Sequence, residues 1–277
     1  LVDGFVRCGF SESLARRRIA VGCNWMSLPG LEYTMNDLVK VNMAKVFEVA
    51  FKEEEEFNGT ADLWDRFVLH LRTAVHTAAE GIRHHLEYQR YNEPELLLNL
   101  LSHGPIEKAL DASAGGATYY NMAIDGAGLA VVADSFAAIQ EHVEERGDLS
   151  WDALCKAVKA DFQGEENERT RLVLRKTERY GKEGSKGQAW AERIRGAFSD
   201  AVKNESEPGR CFIPGFFSWA NTVGFGAAVG ATPDGRRAGT PISHGANPMP
   251  GFVEDGASLS LAKAIAAVQP GYGNTAP

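Results

Sequence analysis

Four places in this 277-residue chain combine residue types and spacing that chemistry can use. The first is Cys23, in "AVGCNWMSLPGLEYTMND" (residues 20–37). A cysteine nucleophile needs a histidine or a helix N-terminus beside it to make thiolate. The chain has seven histidines, and none lies near Cys23 in sequence. A cysteine that carries a hydrogen atom needs no base, because it reacts as neutral thiol and sulfur radical. The third reading is a small buried hydrophobe, and spacing alone leaves all three open. The second place is His76, Glu80 and His84, spaced four apart on one helix face. They span more than two turns, too far for one metal shell without help, so a solvated surface is the better account. The third is "DGAGLAV" (125–131), whose glycines precede a helix. It lacks the third glycine of a dinucleotide fingerprint, and capping with close backbone packing explains it. The fourth is "TPDGRRAG" (232–239). Pro-Asp-Gly is turn chemistry, and Arg236 and Arg237 beside it either hold a carboxylate or phosphate or sit solvated in an exposed loop.

These residues must be positioned by elements that periodicity outlines. Residues 11–19 predict a short helix with Ser11 as its cap, running into the apolar "AVGC" as a strand end or tight loop. Asn36 or Asp37 is the predicted cap of the next helix, with Val39, Met43, Val46, Phe47 and Ala50 on one face. A long helix is predicted from about Asp62 to Tyr91, with its stripe on Leu63, Phe67, Leu71, Val75, Ala78, Ile82 and Leu86. Residues 94–102 resume helix, and 104–128 read as irregular and glycine-rich. Residues 129–147 predict a helix with Leu129, Val132, Phe136, Ile139 and Val143 inward and Gly147 as its stop. Helices starting at Ser150, over 165–181 and over 188–205 follow. From Pro208 the chain turns to glycine, proline, aromatics and strand-like pieces.

Composition narrows the class. The chain is 44% hydrophobic and 24% charged, which are globular values. Its net charge of -8 and the absence of a basic patch argue against a nucleic-acid partner. No apolar run approaches the ~20 residues of a membrane span, and a secretory signal is not visible. Cys8, Cys23, Cys155 and Cys211 are dispersed and contain no CxxC pair, which suits a reducing cytoplasm.

Four stretches, in order, resemble the pyruvate formate-lyase-like glycyl radical enzymes. They are "DGFVRCGFSESLARRRIAVGC", "YTMNDLVKVNMAKVFEVAF", "GGATYYNMAIDGAGLAVVADSFAAI" and "GATPDGRRAGTPISHGANPMPG". The resemblance implies an α/β fold: a fragment of a ten-stranded α/β barrel, built of two half-barrels and surrounded by helices. Residues 1–277 would form part of one such domain, with the N-terminal part and the C-terminal radical glycine loop outside it. It also implies a relay. An activase using radical S-adenosylmethionine chemistry takes hydrogen from the distant glycine, the glycyl radical takes hydrogen from Cys23, and the Cys23 thiyl takes it from substrate. The implied cofactor is that glycyl radical, with no metal bound in the chain.

Dehydratases and decarboxylases of the family carry Gly-Cys-Val-Glu, and the formate-lyase carries two adjacent cysteines. Here the run is Gly22-Cys23-Asn24-Trp25. The form "GCNWMSLPG" resembles the fumarate-adding branch, alkylsuccinate synthases first and benzylsuccinate synthases second. That implies Cys23 as the catalytic residue, Asn24, Trp25 and Met26 against substrate, and a hydrocarbon and fumarate as partners. Small accessory subunits and a homodimer of the catalytic chain are implied with them. Another glycyl radical reaction, or an inactive truncated paralogue, is the alternative.

Overall fold

The computed structural model describes residues 2–7, 9–21, 25–52, 59–216, 221–251 and 256–268. Two short helices, α1 (Val2–Arg7) and α2 (Glu12–Ala15), lead into the strands β1 (Ile19–Val21) and β2 (Trp25–Ser27). Ser11 caps α2 as predicted, its Oγ accepting from Leu14 N at 3.3 Å. Next come β3 (Glu32–Asn42), α3 (Met43–Lys52), α4 (Thr60–Asn92), α5 (Leu96–Leu101) and α6 (Pro105–Lys108). Then follow β4 (Tyr119–Ala127), α7 (Leu129–Ile139), α8 (Trp151–Lys159), α9 (Glu165–Leu174), α10 (Lys186–Lys203), β5 (Arg210–Gly215), α11 (Thr222–Ala227) and α12 (Ala257–Val268).

The frame is a sheet in the order β3-β4-β5, all parallel. Each crossover carries helices, as parallel pairing requires. This is the fold class that the resemblance implies: a mixed α/β piece of a barrel. Two of its strands differ from the reading by periodicity. Residues 32–42 are strand, so neither Asn36 nor Asp37 starts a helix. The cap is Asn42, whose Oδ1 accepts from Lys45 N at 3.1 Å at the head of α3. Residues 119–127, read as irregular, are the central strand. In both cases sheet pairing overrides a weak local signal.

The core lies between one face of the sheet and α3, α4, α7 and α10. Phe47, Trp64, Phe67, Phe136 and Trp190 meet there, with Phe136 stacked on Trp190 at 4.5 Å and Phe47 edge-on to Phe136 at 5.1 Å. The α4 stripe runs as predicted except that Ala79, not Ala78, takes the buried place. Helix α7 is buried at all eleven positions rather than on one face, because it is packed between α10 and α3. Beyond Ile139 it widens into a π-turn, Gln140–Glu145, before Gly147 stops it. Helix α9 ends at Leu174 rather than Gly181. No helix among the described residues is long and apolar enough to cross a membrane.

Candidate active site

In sequence Cys23 falls between β1 and β2, which pair antiparallel as a hairpin, Ile19 with Ser27, Ala20 with Met26 and Val21 with Trp25. Cys23 and Asn24 lie outside the described residues, as does the Trp25 side chain; Met26 is half-buried on β2. The hairpin is tied to the edge strand of the sheet. Ser27 Oγ and Thr34 Oγ1 are 3.0 Å apart, and Leu28 N donates to Glu32 Oε2 at 2.5 Å. Glu32 is held in turn opposite Arg18 at 3.9 Å, and Arg18 lies over the rings of Phe5 and Phe10. Burial pushes the Glu32 carboxyl above its ordinary range, against the Leu28 bond and the Arg18 charge. From Ile19 to Leu31 there is no acid, no base and no histidine.

Strand alternation gives the sheet a second face, opposite the helix-packed one. Tyr120, Met122, Ile124 and Phe212 go into the core. The residues between them go to the opposite face: Asn121 beside Thr34 and Cys211, Ala123 beside Ile213, and Asp125 beside Lys40. Lys40 Nζ and Asp125 Oδ2 form a buried ion pair at 3.1 Å. Between Met35 and Val39 the register slips, three residues of β3 standing opposite Ala123 alone. Such a bulge re-aims side chains locally. The hairpin is hydrogen-bonded to the β3 rim of this face at Thr34. Thr34, Lys40, Asn121, Asp125 and Cys211 are therefore candidate lining residues that the sequence reading did not name. The signal was the alternation in "YYNMAID" (119–125).

The other three candidate sites resolve differently. His76 is exposed and meets Glu205 at 3.1 Å, Glu80 is exposed beside Arg83, and His84 packs on Tyr88. The three do not converge, and no metal-type group of His, Cys, Asp and Glu occurs among the described residues. At 125–131 the glycines serve packing. A Cβ on Gly126 would stand 2.8 Å from Phe216 and 3.0 Å from Met43.

The Pro-Asp-Gly-Arg loop is built from within. Asp234 Oδ1 accepts from Thr232 Oγ1 at 2.6 Å and from Arg236 N at 3.3 Å, while Gly235 takes φ +81°. Arg236 is 5% exposed and donates to four backbone carbonyls: Gly226 at 2.9 Å, Val229 at 3.3 Å, Gly230 at 2.6 Å and Thr240 at 2.7 and 3.1 Å. Burial holds its guanidinium below the ordinary value, against the pull of Asp234 and Glu48. Its donors are spent on the loop, so the carboxylate-holding reading fails for Arg236. Arg237 is likewise engaged, with Asp161 O at 2.8 Å and Glu168 at 2.7 Å. The loop is fastened to α7 through a buried cluster. Arg179 bridges Asp134 at 3.3 Å and Asp234 at 3.5 Å, and Tyr180 N donates to Asp134 at 2.8 Å. Burial raises the Asp134 carboxyl to about 7, with Arg179 opposing it. Asp134 and Asp234, a hundred residues apart in two of the four family-like stretches, thus meet in one buried knot.

Residues 1–226 match the family model described as pyruvate formate lyase-like. The chain belongs to the pyruvate formate-lyase-like family. The trans-4-hydroxy-L-proline dehydratase of Clostridioides difficile is 28% identical over 233 residues, covering 82% of this chain and 29% of that protein. The (2S)-3-sulfopropanediol dehydratase of Klebsiella oxytoca is 25% identical over 265 residues, covering 90% of this chain and 32% of that protein. The chain thus spans about a third of the length of these relatives. In fold it superposes on the B12-independent glycerol dehydratase from Clostridium butyricum with a TM-score of 0.86 at 22% identity, covering 96% of this chain and 36% of that one. A glycyl radical enzyme from Archaeoglobus fulgidus also gives 0.86, at 23% identity, covering 95% of this chain and 35% of that one. The family is thus as the resemblance implies, while these two sequence relatives are dehydratases rather than fumarate-adding synthases.

Proposed function

We propose that this chain supplies the thiol side of a glycyl radical active site, with Cys23 as the hydrogen-atom carrier of a radical lyase. The observation that carries the reading is a family match that includes Cys23, together with a hairpin around it tied to the rim of the second sheet face. Enzymes of this family use a glycyl radical, which supplies the acceptor for the hydrogen atom of the Cys23 thiol. The residues present fit that partner. A hydrogen-atom relay needs no base beside the thiol, and residues 19–31 contain no acid, base or histidine. The Cys23 sulfur then takes a hydrogen atom from a substrate C–H bond and returns one to the product carbon, so the thiol is regenerated. The surrounding fold holds the reacting atoms together and excludes water.

The named relatives favour elimination as the reaction, since the hydroxyproline and sulfopropanediol enzymes are dehydratases. One observation favours a second reading, radical addition of a hydrocarbon to fumarate. Trp25 stands where the dehydratase motif has its glutamate, so an elimination would lack that acid–base group. Activated full-length protein decides between the two. Elimination predicts loss of water from hydroxylated substrates; addition predicts a substituted succinate from labelled hydrocarbon and fumarate. Under either reading Cys23→Ser folds, still forms the glycyl radical signal with its activase, and gives no product. Turnover by the serine variant would overturn the assignment.

A further inference from the structure

The hairpin that holds Cys23 in sequence has two feet, and one buried carboxylate serves both. Arg18 precedes β1 and Leu28 follows β2, each next to the first rung, Ile19 with Ser27. Glu32 Oε2 accepts from Leu28 N at 2.5 Å, and Glu32 Oε1 faces Arg18 Nη2 at 3.9 Å. Both side chains are out of water, Glu32 at 1% exposed and Arg18 at 8%. The guanidinium lies 4.5 Å from the ring centre of Phe5 and 4.0 Å from that of Phe10. Glu32 Oε1 and Arg18 Nε are buried without a hydrogen-bond partner.

Two buried ionic groups that face each other without a full set of hydrogen bonds stabilise little, and apolar groups of the same shape would serve packing as well. What such a pair can specify is position. Glu32 and Thr34 are two apart on β3 and so share a face, the one that carries Asn121. Thr34 in turn meets Ser27 at 3.0 Å. The hairpin is therefore pinned at its feet, through Arg18, Ser27 and Leu28. Its last rung, Val21 with Trp25, stands two residues beyond the first, about 7 Å away. Glu32 thus acts on the angle between hairpin and sheet and not on the open end. We propose that Glu32 and Arg18 form a positioning pair for the Cys23 thiol, fixing the angle at which the hairpin presents it to the second sheet face. The proposal rests on the reading of Cys23 as the hydrogen-atom carrier. Such a lever matters because a displacement of about 1 Å at the reacting atoms costs roughly a hundredfold in rate.

The test uses the full-length protein in heavy water. After activation the Cys23 thiol carries deuterium, passes it to the radical glycine and takes a hydrogen back, so the proton splitting of the radical spectrum fades at the relay's own rate. Glu32→Ala, its fold checked by urea midpoint, should slow this fading about ten- to a hundredfold. Glu32→Gln has nearly the same shape, keeps an acceptor for Leu28 N and loses the charge facing Arg18. It should run about three- to tenfold below wild type, and it carries the test if the alanine variant does not fold. Before activation, amide hydrogen exchange over residues 19–31 should speed about tenfold in Glu32→Ala and stay unchanged elsewhere. Fading that persists in Cys23→Ser overturns the relay on which the proposal rests. Fading that needs Cys23 but runs at the wild-type rate in both Glu32 variants overturns the role of the pair alone. So does a lowered urea midpoint with unchanged fading, the result that a merely stabilising pair would give.

Discussion

Replacing Arg236 with methionine separates a structural arginine from a ligand-binding one. In the native loop its guanidinium serves the carbonyls of Gly226, Val229, Gly230 and Thr240, and the side chain is almost wholly buried. Methionine keeps the stem and removes every donor. Four carbonyls then lose this partner, at about 1 kcal/mol each if the loop stays shut. Relief of the cost of burying the guanidinium offsets part of this, since burial alone already disfavours its charge. The net loss expected is about 2–4 kcal/mol, or roughly 5–15 °C in melting temperature for a domain of this size. Arg236→Lys should recover less than half, because one ammonium cannot reach four carbonyls arranged around a planar fork.

The assay is urea unfolding followed by circular dichroism, with the midpoint and slope compared across wild type, Arg236→Met and Arg236→Lys. A lowered midpoint at unchanged slope supports the structural role. A midpoint within about 0.5 kcal/mol of wild type, together with lost affinity for an anionic substrate, would refute it and return Arg236 to the substrate.

Three further outcomes can be measured in the same way. Gly126→Ala should lose about 1–3 kcal/mol, because its new methyl group must displace Phe216 or Met43; an unchanged midpoint would mean that the strand has more room than the geometry gives. Lys40→Met should cost about 3–5 kcal/mol by removing the ammonium that faces Asp125, and the double variant Lys40→Met/Asp125→Leu should recover part of it; equal loss in both would rule out the charge as the cause. Asp134 keeps its proton in the folded state up to about 7, whereas the unfolded chain releases it near the ordinary value of 3.8, so its contribution is fully present below pH ~4 and is lost as pH rises through 7. The stability gap between wild type and Asp134→Asn should therefore narrow from pH 4.5 to 7.5, and a gap that widens would reverse the sign of the burial effect.

Long amphipathic helices were legible because a single repeating signal ran through many residues. Helix α4 shows its stripe from Leu63 to Leu86 with one alanine displaced, and Ser11 and Ser150 both cap helices. The Cys23 region was legible only as a resemblance, since "VGCN" has no periodicity of its own. Arg236 was visible as an arginine in a turn, but not what it binds. Its acceptors are backbone carbonyls, and every residue type supplies those equally.

The two strands that periodicity missed are the ones that carry the candidate site. A strand covered by helices on one face needs only to keep that face apolar, and the residues of its other face follow no fixed pattern. In β4 the core side, Tyr120, Met122 and Ile124, is regular, but the far side mixes Asn121, Ala123 and Asp125. In β3 the bulge between Met35 and Val39 inserts two extra residues, which leaves Tyr33, Met35, Val39 and Val41 on the core side but interrupts the alternation, with Leu38 also packed against the core. Val39 and Met43 then fall four apart by coincidence and mimic a helix face. Local pattern fails where the fold gives a strand a second task, and functional strands are where such conflicts are expected. The misreading of residues 32–42 and 119–127 is therefore itself a pointer. It marks the sheet face bearing Lys40, Asn121, Asp125 and Cys211, beside whose rim the Cys23 hairpin is tied.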